Sequence, residues 1–355
     1  MKKLLPCLLA CILLLTSCGM GEEIDTLGIV VGVAFDKPET EGNINMTACI
    51  LRVNGGGADS EEGGSEGGGK DYIIVNSEAP SFYEAQSRMM LKIERRPFWG
   101  HNNIILASQD TDLKPIMQAF YNGYDKRGSE YVVIVKGKAE TVLASSNFVG
   151  SVGAVSINEI LGMSKENGFI TDVNVDELYA KMHSKSGASY LPYGETEDKK
   201  FTFKGLCVVR DYAFKGSLSA DESVGSLIVL NDYKSGGISV PIGNAVAGVE
   251  LLDTSCSVDC TEDKFFTIKV NAAYSVQDIN GQTKMDNETV ENLVNAAIKD
   301  KIQKAILKSI QLDADYMNFS DDYFRKFAKA MPDDFKYSQF NITVNGKLKF
   351  KGIEY

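Results

Sequence analysis

The order of apolar patterns along this sequence predicts an α+β protein built as three consecutive domains, each a mixed or antiparallel sheet with flanking helices. Three observations lead there. A chain of 355 residues exceeds what one core usually holds. Up to Ser145, strand-like runs and segments of helical period follow in the order β-β-β-α-β-α-β-α, and the pattern shifts from Ser156. A long helical stripe, Glu288 to Ile310, then a short helix and an alternating strand, close the chain as a unit of their own. These shifts divide the chain into residues 18–146, 147–243 and 244–355, after a leader of residues 1–17.

The leader comes first. Lys2 and Lys3 precede an apolar run from Leu4 to Leu15, and Leu15-Thr16-Ser17-Cys18 ends it with small residues before a cysteine. Twelve apolar residues are too few to cross a bilayer, which takes about 20. The pattern is a lipobox: cleavage before Cys18 and diacylglycerol on its thiol. Two acyl chains anchor stably where one does not. The expected protein is tethered by its first mature residue to the outer face of a membrane.

Losing Lys2 and Lys3 takes the formal charge from −11 to −13, which argues against nucleic acid as a partner and against electrostatic binding to anionic lipid, so the lipid must do the anchoring. Of seven cysteines, Cys49, Cys207, Cys256 and Cys260 remain for the body, too few for a disulfide framework. Cys49 and Cys207 sit in strand-like runs as small hydrophobes. Cys256 and Cys260 bridge only if the chain turns between them, since an extended four-residue step spans ~13 Å. With only His101 and His183 besides, no metal site is expected.

Leu27 to Phe35 reads as a buried strand and Asn45 to Val53 as its antiparallel neighbour, turning near Glu41-Gly42. Gly55 to Gly69 holds eight glycines and four acids, a solvated loop before a strand at Tyr72 to Val75. Its Gly64-to-Lys70 stretch imitates a phosphate-binding loop, but Asp71 stands where Ser or Thr is required and a strand follows in place of a helix. Ser81-x-x-Glu84 is a capping box for a helix that places Phe82, Ala85, Met89, Met90 and Ile93 on one face and stops before Pro97. A strand at Asn103 to Ala107, a helix opened by Asp112, a strand at Glu130 to Val135 and a short helix at Lys138 to Ser145 complete the first domain.

Helices near Ile157 to Ser164 and Val175 to His183 precede strands at Ser189 to Tyr193 and Phe201 to Val209. A helix at Ala220 to Val229 leads to strands at Gly237 to Pro241, Val246 to Leu252 and Phe265 to Val276. The stripe of the long helix runs Val290, Leu293, Val294, Ala297, Ile298, Ile302, Ala305, Ile306, Ile310, with lysines opposite. Ser320 to Lys329 is a shorter helix and Phe340 to Phe350 the closing strand.

No catalytic constellation emerges: Gly-x-Ser-x-Gly, His-Glu-x-x-His and a dinucleotide fingerprint are all absent, and two histidines leave little room for a triad. Asp321 and Asp322 fall where a helix start favours negative charge. The main basic-aromatic cluster is Arg95-Arg96-Pro97-Phe98-Trp99-Gly100-His101 with Lys92. Arg95, Arg96, Trp99 and His101 suit a partner contact, since Arg and Trp are enriched at interface hot spots. The same residues also suit packing: the aromatics beneath the helix end and the arginines at its last carbonyls.

The lipobox followed by Leu27-Gly-Ile-Val-Val-Gly-Val-Ala-Phe-Asp36, the Phe82-to-Asn102 helix and Arg-Arg-Pro-Phe-Trp-Gly-His-Asn run, Phe203-Lys-Gly-Leu206, and Asp315-Tyr-Met-Asn-Phe319 resemble the GerC-type spore germination lipoproteins. The likeness covers essentially the whole mature chain. After Cys18 the family often has Trp-Asp and Arg-Arg-Glu-Leu, where this chain has Gly19-Met-Gly-Glu-Glu23. The resemblance implies a non-catalytic, three-domain subunit of a nutrient germinant receptor on the outer surface of the spore inner membrane. Its partners would be two multi-pass membrane subunits, one similar to amino-acid permeases, and it implies no cofactor beyond the lipid on Cys18. The alternative is a solute-binding lipoprotein of a transporter, which should show two lobes about a hinge with aromatics lining the cleft.

Overall fold

The computed structural model describes residues 26–52, 72–123, 127–145, 147–150, 152–198, 200–281, 286–332 and 335–351. The leader with Cys18, and the glycine-rich stretch of residues 55–69, lie outside them. Among the described residues thirteen strands form two mixed sheets, accompanied by eight helices, an α+β architecture.

The first sheet is organised on β1 (Leu27–Asp36), buried along nearly its whole length. Hairpin partners β2 (Ile44–Leu51) and β3 (Tyr72–Ala79) lie on one side in antiparallel register. On the other side β5 (Ile104–Ser108), β6 (Tyr131–Lys136) and β7 (Ala188–Glu197) follow in parallel, then β8 (Lys200–Arg210) and β9 (Ala213–Ser217) antiparallel. The short β4 (Arg96–Phe98) also runs parallel to β1, at its first residues. The boundary expected at 146/147 falls between β6 and β7 of this sheet, and that at 243/244 in the turn between Ile242 and Ala245 of the second.

Both faces are covered. Val30, Val33 and Phe35 of β1 point to α1 (Phe82–Met89), α2 (Leu113–Asn122) and α5 (Val175–Met182). Val31 and Ala34 point to α3 (Glu140–Leu143) and α4 (Gly153–Gly162) on the opposite face. Such two-sided burial explains why β1 reads as a continuous apolar run. Gly32 lets α4 approach: a Cβ there would overlap Ala154 and meet Ile104 Cγ2 at 3.0 Å.

α1 is shorter than its periodicity predicts. It ends at Met89; Met90 caps it and is 46% exposed, and Ile93 lies in the following loop. The chain must leave the helix early because Arg96 has to pair with Leu27 in β4.

The second sheet is β10 (Gly236–Ile242), β11 (Ala245–Cys260), β12 (Phe265–Asn280) and β13 (Gln339–Lys351), the last parallel to β12. α7 (Asn287–Gln311) and α8 (Phe319–Phe327) connect β12 to β13. The α7 stripe packs inward as expected, with Leu293, Ala297 and Ile310 half-buried at its margins, and with one correction. Lys301 is not opposite it but buried beneath α6 (Ala220–Val229), where its ammonium meets Asp221. Cys256 and Cys260 lie in one uninterrupted strand, so the chain makes no turn that could bridge them, and both are free thiols.

Candidate functional site

The Arg95-to-Asn102 segment builds one end of the first sheet. β4 pairs Leu27 with Arg96, Gly28 with Pro97 and Ile29 with Phe98. A single 3-10 turn, Trp99–His101, then shifts the chain onto β5, which continues along β1 with Val33 opposite Ile105. Pro97 has no N–H to offer and is tolerated in so short a pairing.

The turn sorts the side chains of the cluster. Trp99 is 4% exposed and packs on Phe82 at 5.9 Å between ring centroids, so it is a core residue and presents no surface to a partner. Phe98 is 37% exposed, lies edge-on to His101 at 5.6 Å, and covers Gly100. Arg96 and His101 are exposed and Arg95 half-buried. Arg95 and Glu94 join Arg52, Gly28, Leu51 and Ile73 around a cavity of about 340 Å³ beside the start of β1. The structure therefore brings Arg95, Arg96, Phe98 and His101 to one edge and removes Trp99 from it. Trp99 lies beyond the end of β4 and opens the 3-10 turn, so its inward position follows from the β4–β1 pairing and not from a local pattern.

The opposite end of β1 carries a larger crevice, about 840 Å³, which the sequence did not reveal. It lies at the carboxyl ends of β1, β3 and β5, where the chain changes direction across the sheet, a common place for binding in α/β sheets. Phe35, Ile44, Pro80 and Ile116 line it, with Asp36, Glu39, Glu41, Asp110 and Asp112 against one cation, Lys37. Two of these carboxylates have structural work. Asp36 accepts the amides of Ala139 at 2.6 Å and Glu140 at 2.9 Å, fixing the start of α3. Burial raises its carboxyl above the ordinary range, and the two amides partly counter that. Asp112 caps α2 through Lys114 N at 2.9 Å. Among the described residues no group of His, Cys, Asp and Glu could hold a metal ion.

A third region joins the two sheets. Asp221 of α6 takes Lys301 and Lys304 of α7, and both hydrogen bonds hold its carboxyl below the usual range. Tyr316 bonds Ser226 at 2.9 Å and the Ala305 carbonyl at 3.2 Å. Asp321 accepts the amide of Lys185 at 2.9 Å, while Asp315 accepts Phe319 N at 3.0 Å and Ser320 N at 2.6 Å. Asp315 thus caps α8, while Asp321 and Asp322 lie in its first turn as expected, and Asp321 also ties α8 to the loop before β7.

Comparison with known proteins gives the chain its relatives. Residues 21–196 match the family model of the spore germination protein N-terminal domain, and residues 204–352 that of the spore germination B3/GerAC-like C-terminal domain. The chain belongs to the GerAC spore germination family. The two matches meet in the β7–β8 hairpin, inside one sheet. This germination protein is 20% identical to the putative spore germination protein YfkR of Bacillus subtilis, over 92% of its own length and 88% of the relative's. It is 23% identical to spore germination protein A3 of the same organism, over 67% and 63% of the two chains. The crystal structure of the GerBC protein shares the fold with a TM-score of 0.58 at 14% identity, covering 92% of this chain and 99% of that one. No helix among the described residues is long and apolar enough to cross a membrane.

Proposed function

We propose that this chain is the lipid-anchored, non-catalytic subunit of a nutrient germinant receptor, held by diacylglycerol on Cys18 at the outer surface of the spore inner membrane. The observation that carries the reading is the family match over both halves of a chain that opens with a lipobox at Leu15-Thr16-Ser17-Cys18. The multi-pass subunits of the receptor are its partners, and the rigid coupling of its two sheets through α6 and α7 suits a scaffold. A solute-binding lipoprotein would bind between two lobes, whereas the large crevice lies within the first sheet.

The test is to express the parent and Cys18→Ala in sporulating cells. The parent should fractionate with spore membranes, carry diacylglycerol by mass spectrometry and copurify multi-pass subunits. Cys18→Ala should be released or mislocalised and should impair nutrient-triggered germination. Tight membrane retention of Cys18→Ala would overturn the anchor, and copurification of a transporter instead would replace the receptor reading.

A further inference from the structure

We propose that the groove between α4 and the strap of residues 147–150 is a docking site for an apolar helix of a partner protein, one that carries a lysine or arginine beside its apolar face. The site does not depend on the anchor at Cys18.

The groove has a volume of about 550 Å³. Phe148, Val149, Ile160, Met163 and Phe203 give it an apolar lining, and Glu159 is the one charged residue among those that line it. Val149 is fully exposed and Met163 more than half exposed. Val155, also exposed, lies one turn before Glu159 and continues the apolar surface along α4. Single exposed apolar side chains are ordinary, but a contiguous apolar groove marks an interaction site.

The walls are fixed before any partner arrives. Asn147 accepts the amide of Phe201 at 2.9 Å and donates to its carbonyl at 2.8 Å, which pins the strap to β8. At its other end the strap lies against α4, where a Cβ on Gly150 would come within 2.8 Å of Ser156 Oγ. Val149 is thus held in solvent by a strap fastened at both ends, and a partner that covers it removes that apolar surface from water. Preorganised walls also leave less to be ordered on association.

The same contacts select the kind of partner. Asn147 already takes both backbone groups of Phe201, so β8 offers an added strand no ladder at this point. A helix brings side chains instead, and anchors at i, i+3 and i+4 match a groove that runs beside α4. Charge narrows the choice. Among the described residues no cation pairs with Glu159. A carboxylate covered without a partner is strongly destabilising, so the face that covers Glu159 must bring a positive charge. A second copy would bring another Glu159 and another acidic body, and an anionic headgroup would bring a like charge.

The full mature chain with Cys18→Ala, which carries no lipid, is titrated against two labelled synthetic helices and followed by fluorescence anisotropy. Both have a leucine stripe; one has a single lysine beside the stripe, and its twin has a glutamate there. The lysine helix should bind at least about ten-fold more tightly than the twin. Val149→Asp and, separately, Met163→Asp should weaken it by about as much, with circular dichroism unchanged. Glu159→Lys should reverse the order of the two helices, a result that needs no apolar-to-acid variant to fold. Binding of neither helix, or binding indifferent to both Val149→Asp and Glu159→Lys, overturns the site. Equal binding of the two helices overturns the requirement for a cation. Self-association of the parent, or its binding to phosphatidylglycerol vesicles, that Val149→Asp abolishes gives the groove to a second copy or to lipid and overturns the helix.

Discussion

Gly225 of α6 lies directly against the backbone of Lys301 in α7: a Cβ at Gly225 would overlap the Lys301 carbonyl oxygen and come within 2.9 Å of Ile302 N. The two helices meet here without a side chain between them, and Asp221 reaches both Lys301 and Lys304 from one turn earlier. This crossing joins the two sheets into one continuous core.

Gly225→Ala should therefore destabilise the protein, although alanine is the better helix former by about 1 kcal/mol. Overpacking against backbone typically costs about 1–3 kcal/mol, because neither helix can yield locally. Denaturant unfolding of the two proteins measures the difference. A variant as stable as the parent would mean that the helices can separate freely.

Trp99 and Phe98 are neighbours with different expected costs. Trp99→Ala leaves a void beside Phe82 and should lose about 3–5 kcal/mol. Phe98→Ala should lose less than about 1 kcal/mol, as for an exposed site. Thermal unfolding followed by circular dichroism separates them, and a reversed order would return Trp99 to the surface.

Asp315 should make stability depend on pH with an unusual sign. Burial raises its carboxyl to about 6, against the hydrogen bonds from Ser320 and Phe319. In the unfolded chain it titrates near 3.9. Between these values the folded protein binds more proton, so the group's contribution is full below about pH 4 and is lost as pH rises through about 6. Relative to Asp315→Asn, the parent should lose on the order of a few kcal/mol across that window. A parent-minus-variant difference that stays flat from pH 4 to 7 refutes the shift.

Deleting Gly56 to Gly68 should change stability by less than about 1 kcal/mol, since loop length enters only logarithmically. Leu51 already pairs with Tyr72 across the β2–β3 hairpin, and the residues left after deletion can still close it. A large fall in melting temperature would show that the segment packs against the body or binds something.

What the sequence determined by itself was local. The extent of α6 follows from its capping box, in which Ser219 and Glu222 each accept the other's backbone amide, and α7 from an apolar stripe behind the Asp286 cap. β1 was legible because burial on both faces leaves an unbroken apolar run. The missed elements had no local signal. β9 follows a turn through Asp211 and Tyr212, both at positive φ, where an Asn-Gly pair would have announced a hairpin.

Tertiary structure decided the rest. β4 exists because Arg96 to Phe98 find β1, 69 positions earlier, and that pairing ends α1 early and turns Trp99 inward. β6 and β7 join across the Ser145–Ser156 shift in pattern, Lys301 is buried because α6 covers it, and Asp321 is drawn to Lys185 from 136 positions away. Caps and periodicity act within a few residues and can be read in order. Which faces meet is settled by strand pairing and burial between distant segments, and those energies have no address in the local sequence.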